Sequence, residues 1–210
     1  MKTKKACLDL HDFSVVNNRL DLLLKLKDNF PGFKVSLFTV ALDIEADWGP
    51  FCIRKESLRE IKRNLDWIQI IPHGLTHNKE LERCDYFTFK NKIMPAIKEA
   101  FDKDGLPFEK SFCAPHWRWN EDVVRALDEE GWWGAVDRNQ PTMLSTKKFF
   151  KFSHGLHEPY LESDADTLKL HGHVYGLKND LGRCLGNLLK LPVSTEWHFA
   201  TDFLEELEEN

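Results

Sequence analysis

The sequence predicts a single α/β domain in which parallel strands form a barrel. Apolar runs typical of strands alternate with helical segments through most of the chain, which favours parallel βαβ units. Histidine or aspartate follows the end of several predicted strands, as expected if the carboxyl ends of those strands meet at one mouth. A length of 210 residues suits one domain with a full core, so residues 1–210 are predicted to form one unit.

Each element rests on hydrophobic periodicity and on residues that stop or cap it. The predicted strands are 6–10, 34–40, 67–71, 111–114, 132–136, 149–152, 167–173 and 193–198. The predicted helices are 17–30, 56–65, 91–104, 121–130, 177–189 and 201–209. Pro31 and Gly32 end the first helix, Gly105 ends the third, and Asn120 caps the start of the fourth. Segments 41–55 and 154–166 are predicted as long loops.

Composition excludes several classes of protein. The net charge is −5 and no basic stripe stands out, which argues against a nucleic-acid-binding protein. No apolar run approaches membrane-spanning length, and no apolar segment of a secretory signal follows the basic start. The five cysteines are scattered and never spaced as C-x-x-C, which favours free thiols in a reducing compartment. We therefore expect a cytoplasmic protein.

Two histidines after the third predicted strand suggest a metal site. The run 68–71 breaks at Pro72 and Gly74 and is followed by His73 and His77, which are four residues apart. On one helical turn both rings can reach a single point, and imidazole is a common ligand of zinc-like metals. The same spacing also occurs by chance in surface loops, so the other strand ends decide between the two interpretations.

Five short motifs together resemble those of the polysaccharide deacetylase (NodB-homology, carbohydrate esterase) superfamily. The matching segments are 8–14, 73–77, 112–117, 135–137 and 170–171. The resemblance implies an irregular (β/α)7 barrel and one divalent metal ion, expected to be Zn²⁺. It implies Asp12, His73 and His77 as metal ligands. It also implies His171 as the catalytic histidine, Asp137 as a weak match to the fourth motif, and Pro115, His116 and Trp117 as residues that line the groove. From the residues themselves, His11 and Asp137 are expected to be catalytic together with His171, and His173 is expected to contact substrate.

The chain departs from the family pattern at two positions. His11 replaces the aspartate that usually acts as base, and Cys113 replaces the arginine that usually holds that aspartate. The two changes are consistent, because a neutral imidazole needs no cationic partner. The chain resembles a divergent branch whose first motif is His-Asp. The base is His11, or else Asp9 or the distant histidine; the acid is His171 or His173, because strand alternation puts both on one face.

The predicted function is hydrolysis of an N-acetyl or O-acetyl group on a carbohydrate-type substrate, with a metal and histidines as base and acid. Asp137 is expected to keep the ring of His171 charged. The expected partner is an acetylated sugar or polysaccharide, and the oligomeric state is left open. Trp117 and the loop 41–50 are expected to line the groove. The alternative is a catalytically weak or inactive barrel that binds a metal and a sugar-like ligand.

Overall fold

The computed structural model describes residues 4–14, 18–41, 55–139, 144–174, 176 and 178–207. The strands are β1 Lys5–Phe13, β2 Val35–Thr39, β3 Ile68–Pro72, β4 Ser111–Phe112, β5 Trp133–Val136, β6 Lys148–Lys151, β7 His154–Gly155, β8 Thr167–His173, β9 Glu196–His198 and β10 Glu205–Glu206. The helices are α1 Leu20–Asn29, α2 Lys55–Arg63, α3 Tyr86–Thr88, α4 Met94–Asp104, α5 Glu121–Glu129 and α6 Leu181–Leu188.

The strands form two sheets that together close a barrel. One has the order β3-β2-β1-β8-β7, with β9 also paired to β1, and the other has the order β10-β6-β5-β4. All pairs are parallel except β10 with β6. The backbone N–H of Glu109 donates to Ile70 O at 2.9 Å, and that of Cys113 donates to Pro72 O at 3.1 Å, which joins β3 to β4. The predicted irregular (β/α)7 barrel is confirmed.

Side chains of the central strand β1 pack on both faces of the sheet. Ala6, Leu8 and Leu10 belong to the large outer core between strands and helices. Cys7 belongs to a separate inner core. The other buried members of that inner core are Phe38, Ile71, Cys113, Trp133, Ala135, Phe150, Phe152 and Ala200. Strand alternation therefore sends every second residue of β1, including Asp9 and His11, into the barrel.

The amino-terminal end of the barrel is closed by a short 3-10 turn, Ala200–Phe203. The Ser36 hydroxyl accepts from the Ala200 N–H at 2.9 Å and donates to Gln69 Oε1 at 2.7 Å. The Gln69 side-chain amide donates to Thr201 Oγ1 at 2.9 Å. These bonds satisfy buried polar groups on β2 and β3, so the barrel opens at its other end, where the candidate residues lie.

The predicted closing helix 201–209 is wrong over its described part. After the turn at 200–203 the chain forms β10, which pairs antiparallel with β6. The acidic residues pair with lysines of neighbouring strands: Lys169 with Glu205 at 2.5 Å and Lys148 with Glu206 at 3.1 Å. These contacts between strands outweigh a helical pattern that is local to the segment.

Two other predictions need adjustment. The predicted loop 154–166 contains β7 and a 3-10 turn at Tyr160–Glu162. The helix predicted at 91–104 begins with α3, runs through a π-helical segment at Phe89–Ile93 and continues as α4. Pro95 lies in the first turn of α4, and the wider turn before it accommodates a residue that has no N–H to donate.

Much of the predicted loop 41–50 lies outside the described residues. Across the part of the chain that the structure describes, no helix has both the length and the apolar character needed to cross a membrane.

Candidate active site

A bulge near the end of β1 sends two consecutive side chains to the mouth of the barrel. Leu10 is paired with Leu37, but the next pair is Phe13 with Thr39, so β1 has one extra residue. Asp12 lies in this bulge and adopts a left-handed conformation, with φ 58°. Such a conformation costs about 1–3 kcal/mol for a residue other than glycine. His11 keeps the inward direction that alternation gives it, and Asp12 faces the turn after β3.

Asp12, His73 and His77 bring three donor atoms together. Asp12 Oδ1 lies 2.9 Å from His77 Nε2 and 3.3 Å from His73 Nε2. Within the described residues, this buried oxygen has no hydrogen bond of normal geometry, although both nitrogens are close. Two imidazole nitrogens and a carboxylate oxygen that converge on one point are the arrangement expected around a common cation. The donor set therefore fits a divalent metal of the zinc type.

A hydrogen bond to the backbone fixes the orientation of the His73 ring. Its Nδ1 lies 3.0 Å from the backbone carbonyl of Cys113, which can only accept, so Nδ1 carries the proton. The lone pair of Nε2 then faces Asp12, as in histidines that bind metals through Nε2. Burial acts to raise the pKa of Asp12, but the nearby imidazoles of His73 and His77 outweigh it and hold that pKa well below its usual value.

A second carboxylate and histidine pair lies deeper in the barrel. Asp9 Oδ1 is 2.8 Å from His171 Nδ1, and the two residues are direct partners in the β1–β8 pairing. Asp9 is completely buried and His171 is 5% exposed. Burial raises the pKa of Asp9, and the neighbouring His171 opposes this shift. The predicted partner of His171, Asp137, instead accepts from the Asn139 N–H at 2.9 Å.

His11 lies between the two groups. Its ring centre is 4.7 Å from that of His73 and 4.7 Å from that of His171. Phe38 stacks on the ring at 4.4 Å, and Trp117 covers it at 4.8 Å. Burial lowers the pKa of His11 well below its usual value, and the neighbouring histidines lower it further. The imidazole is therefore neutral.

Cys113 lies beside the ring of His11. Its Sγ is 4.0 Å from His11 Nδ1, and the residue is completely buried. Burial raises the pKa of its thiol far above the usual value, so no charge lies on either side of this contact.

The predicted substrate-contacting residues lie around the mouth. Pro115, His116 and Trp117 form a 3-10 turn in which His116 and Trp117 have left-handed φ angles of 56° and 60°. His116 is exposed, with its ring 4.5 Å from that of His77, and Trp117 is half-buried. His173 Nδ1 is 3.0 Å from Asn179 Oδ1, and burial lowers the pKa of His173 to about 4.

Three tryptophans near Trp117 in the sequence are buried: Trp119, Trp132 and Trp133. The sequence predicted Asp9 only as an alternative base, and it gave no prediction for two residues beside the histidines. These are Asn179, which contacts His173, and Phe152, which stacks on His171 at 4.4 Å. The one available signal was the position of Asp9 two residues before His11, on the same face of β1.

Gly74 joins the metal-site turn to the Pro115 turn, and we expect its replacement by alanine to destabilise the barrel. Its φ is +86°, and an added Cβ would lie 2.7 Å from Pro115 Cγ and 2.8 Å from Thr76 O. Strain and overpacking together predict a loss of about 2–4 kcal/mol in the free energy of unfolding. Urea unfolding measures it. Gly32→Ala is the control, because nothing lies within 4 Å of its added Cβ. Equal losses in both variants would contradict the expected contact.

Comparison with known proteins shows the fold. No protein-family model and no curated protein matches the sequence. Among solved structures, a chitin deacetylase from the fungal pathogen Colletotrichum lindemuthianum aligns with a TM-score of 0.61 at 14% identity, over 96% of this chain and 88% of that chain. A family 4 acetyl xylan esterase from Clostridium thermocellum, in complex with a cobalt ion, aligns with a TM-score of 0.58 at 12% identity, over 95% and 89%.

A third similar structure is a CE4 family pseudoenzyme from Bacillus anthracis. Its TM-score is 0.58 at 13% identity, over 96% of this chain and 65% of that chain. The barrel described above is therefore the fold of carbohydrate esterases of family 4, a fold found in enzymes and in at least one pseudoenzyme.

Proposed function

We propose that this chain, with the fold of the family 4 carbohydrate esterases, is a metal-dependent hydrolase that removes acetyl groups from a carbohydrate-type substrate. The convergence of Asp12, His73 and His77 at the mouth of the barrel carries the proposal. Three protein ligands leave room for water on a catalytic metal, and Zn²⁺ suits two imidazoles and one carboxylate. The similar structures include a chitin deacetylase and an acetyl xylan esterase, which supports an acetylated sugar as substrate.

The residues divide the chemistry between them. A metal held by Asp12, His73 and His77 would supply an activated water and polarise the acyl carbonyl. The buried histidines inside the barrel transfer protons between that water and the leaving group. The half-buried ring of Trp117 offers a flat face to a sugar ring, with His116 and Pro115 beside it.

The cysteines are informative about the cellular compartment of the protein. Cys7, Cys84, Cys113 and Cys184 are free and buried. Buried free thiols support a reducing compartment, so we place the protein in the cytoplasm.

One observation favours a second function, a barrel that binds a metal and a sugar-like ligand without turnover. His11 occupies the position where the family pattern has its base, and a protein of the same fold is a pseudoenzyme. A mutant of that pseudoenzyme has restored enzymatic activity, so one protein of this fold exists in an inactive and an active form.

Acetate release decides between the two functions. The purified protein is loaded with Zn²⁺ or Co²⁺ and given acetylated chitooligosaccharides, acetylated xylooligosaccharides and an activated acetate ester. We expect acetate from at least one of them, loss of activity after chelation and recovery when the metal is returned. Full activity after complete metal removal would contradict the metal's role. Metal and sugar binding without acetate release would favour the binding protein.

A further inference from the structure

We propose that Asp9 is the positioning residue of His171, and that this pair performs both proton transfers while His11 forms a wall of the site. This inference rests on the proposed hydrolase function and deepens it. It moves the essential carboxylate from the family's position, occupied here by His11, to Asp9, two residues earlier on the same face of β1.

The carboxylate of Asp9 contacts the ring of His171. Asp9 is completely buried, and its Oδ1 lies 2.8 Å from His171 Nδ1. Its Oδ2 is also buried and has no hydrogen-bond partner among the described residues. The pairing of β1 with β8 sets this contact, because Asp9 and His171 are opposite one another in the sheet. The negative charge therefore acts chiefly on the His171 imidazole.

The ring of His171 is held in one orientation. Phe152 stacks on it at 4.4 Å, His11 meets it edge-on at 4.7 Å, and Trp117 lies 5.5 Å away toward the mouth. A proton on Nδ1 is retained by Asp9, so Nε2 is the nitrogen that remains to accept or donate a proton. A carboxylate that fixes the tautomer of a histidine in this way is a general device of acid–base catalysis.

His11 lacks these features. Its ring is clamped between Phe38 and Trp117, and its Nε2 is buried without a hydrogen-bond partner among the described residues. Its Nδ1 faces the Cys113 thiol at 4.0 Å rather than a carboxylate. Among the described residues, the ring of His11 is therefore not bonded to a carboxylate, whereas the ring of His171 is bonded to Asp9.

The two transfers use one nitrogen in turn. His171 Nε2 takes a proton from water while the water oxygen bonds to the acyl carbon. The same proton then passes to the leaving nitrogen or oxygen as its bond to the acyl carbon breaks. One water is consumed, acetic acid and the free amine or alcohol leave, the acid then loses its remaining proton to solvent to give acetate, and His171 returns to the neutral state. Asp9 remains a carboxylate throughout and touches no reacting atom.

The test compares Asp9→Asn with Asp202→Asn, both loaded with Zn²⁺. Asp202 faces His198 at 3.5 Å and so provides a carboxylate and histidine pair away from the mouth. For Asp9→Asn we expect kcat to fall about 10²–10⁴-fold on both an acetamide and an activated acetate ester, with KM and metal content unchanged. Asp202→Asn should leave both rates near those of the parent protein.

A spectroscopic measurement does not depend on the variant folding. In ¹⁵N-histidine-labelled parent protein, two-bond proton–nitrogen spectra should show His171 with its proton on Nδ1. His171→Gln identifies the signal by its disappearance. Asp9→Asn should reduce that tautomer. His171 with its proton on Nε2 in the parent protein would overturn the proposal.

Other outcomes also overturn it. The proposal fails if Asp9→Asn hydrolyses an amide at the full rate of the parent protein. It also fails if Asp137→Asn loses most of its activity and Asp9→Asn does not. Donor atoms of Asp9, His11 and His171 lie within 4.8 Å of one another, so a metal ion lost specifically in Asp9→Asn would make the cluster a metal site instead. An inactive parent protein would defeat the hydrolase function itself, whereas an active parent with an active Asp9→Asn variant defeats only this inference.

Discussion

His77→Ala is expected to abolish stoichiometric metal binding and hydrolysis while the barrel stays folded. The variant removes one of three converging donors, and the side chain of His77 is 30% exposed, so little packing is lost. Removing a residue that merely supports a metal ligand typically costs about 10–100-fold in metal affinity, and loss of a ligand should cost more. Metal content by mass spectrometry and thermal unfolding by circular dichroism measure the two effects.

His116→Ala is the matched control for metal content. Its ring lies 4.5 Å from that of His77, but the three converging donors do not include it. We expect this variant to keep its metal. If His77→Ala retains one equivalent of metal per chain, the assigned ligand set is wrong, whatever happens to the rate.

The second large effect is expected for His171→Ala, which should lower kcat about 10²–10⁴-fold on an amide and on an activated acetate ester alike. An activated ester needs no proton on its leaving group, so loss on the ester reports the loss of a base. A histidine that served only as acid would be dispensable for the ester. Rates on both substrates, measured with metal content verified, therefore separate the roles.

Two further variants sharpen that comparison. His11→Asn should keep its metal and lose far less activity than His171→Ala, because His11 has no carboxylate partner. The double variant Asp9→Asn with His171→Ala should be no slower than His171→Ala alone, since residues that act as a unit have non-additive effects. If His11→Asn is the slower single variant on the ester, the base is His11, as the family motif implies.

The convergence of Asp12, His73 and His77 could be predicted because each lies near the end of a strand whose apolar pattern is local. His73 and His77 follow β3 directly, and Asp12 falls at the end of β1. The bulge that turns Asp12 toward them was not predictable, since a left-handed aspartate leaves no periodic signal. Contacts with residues about sixty positions away in the sequence offset the free-energy cost of this left-handed conformation.

The partner of His171 could not be predicted for a related reason. Asp9 and His171 are 162 positions apart, and their contact depends on the register between β1 and β8. Register is set by packing on both faces of a strand, which a single sequence does not specify. The helix predicted at 201–209 was wrong for the same reason, because Glu205 and Glu206 pair with lysines of other strands.

The place of β1 at the centre of its sheet has a consequence for how the molecule acquires activity as it folds. The metal ligands all lie within the first 77 residues, in β1 and in the turn after β3. The Asp9–His171 pair needs β8, and β1 also pairs with β9, so these pairings close very long loops and form slowly. During synthesis from the amino terminus, the nascent chain therefore contains the three proposed metal ligands well before the proposed proton-transferring pair exists. On these assignments, catalytic competence arrives only with closure of the barrel.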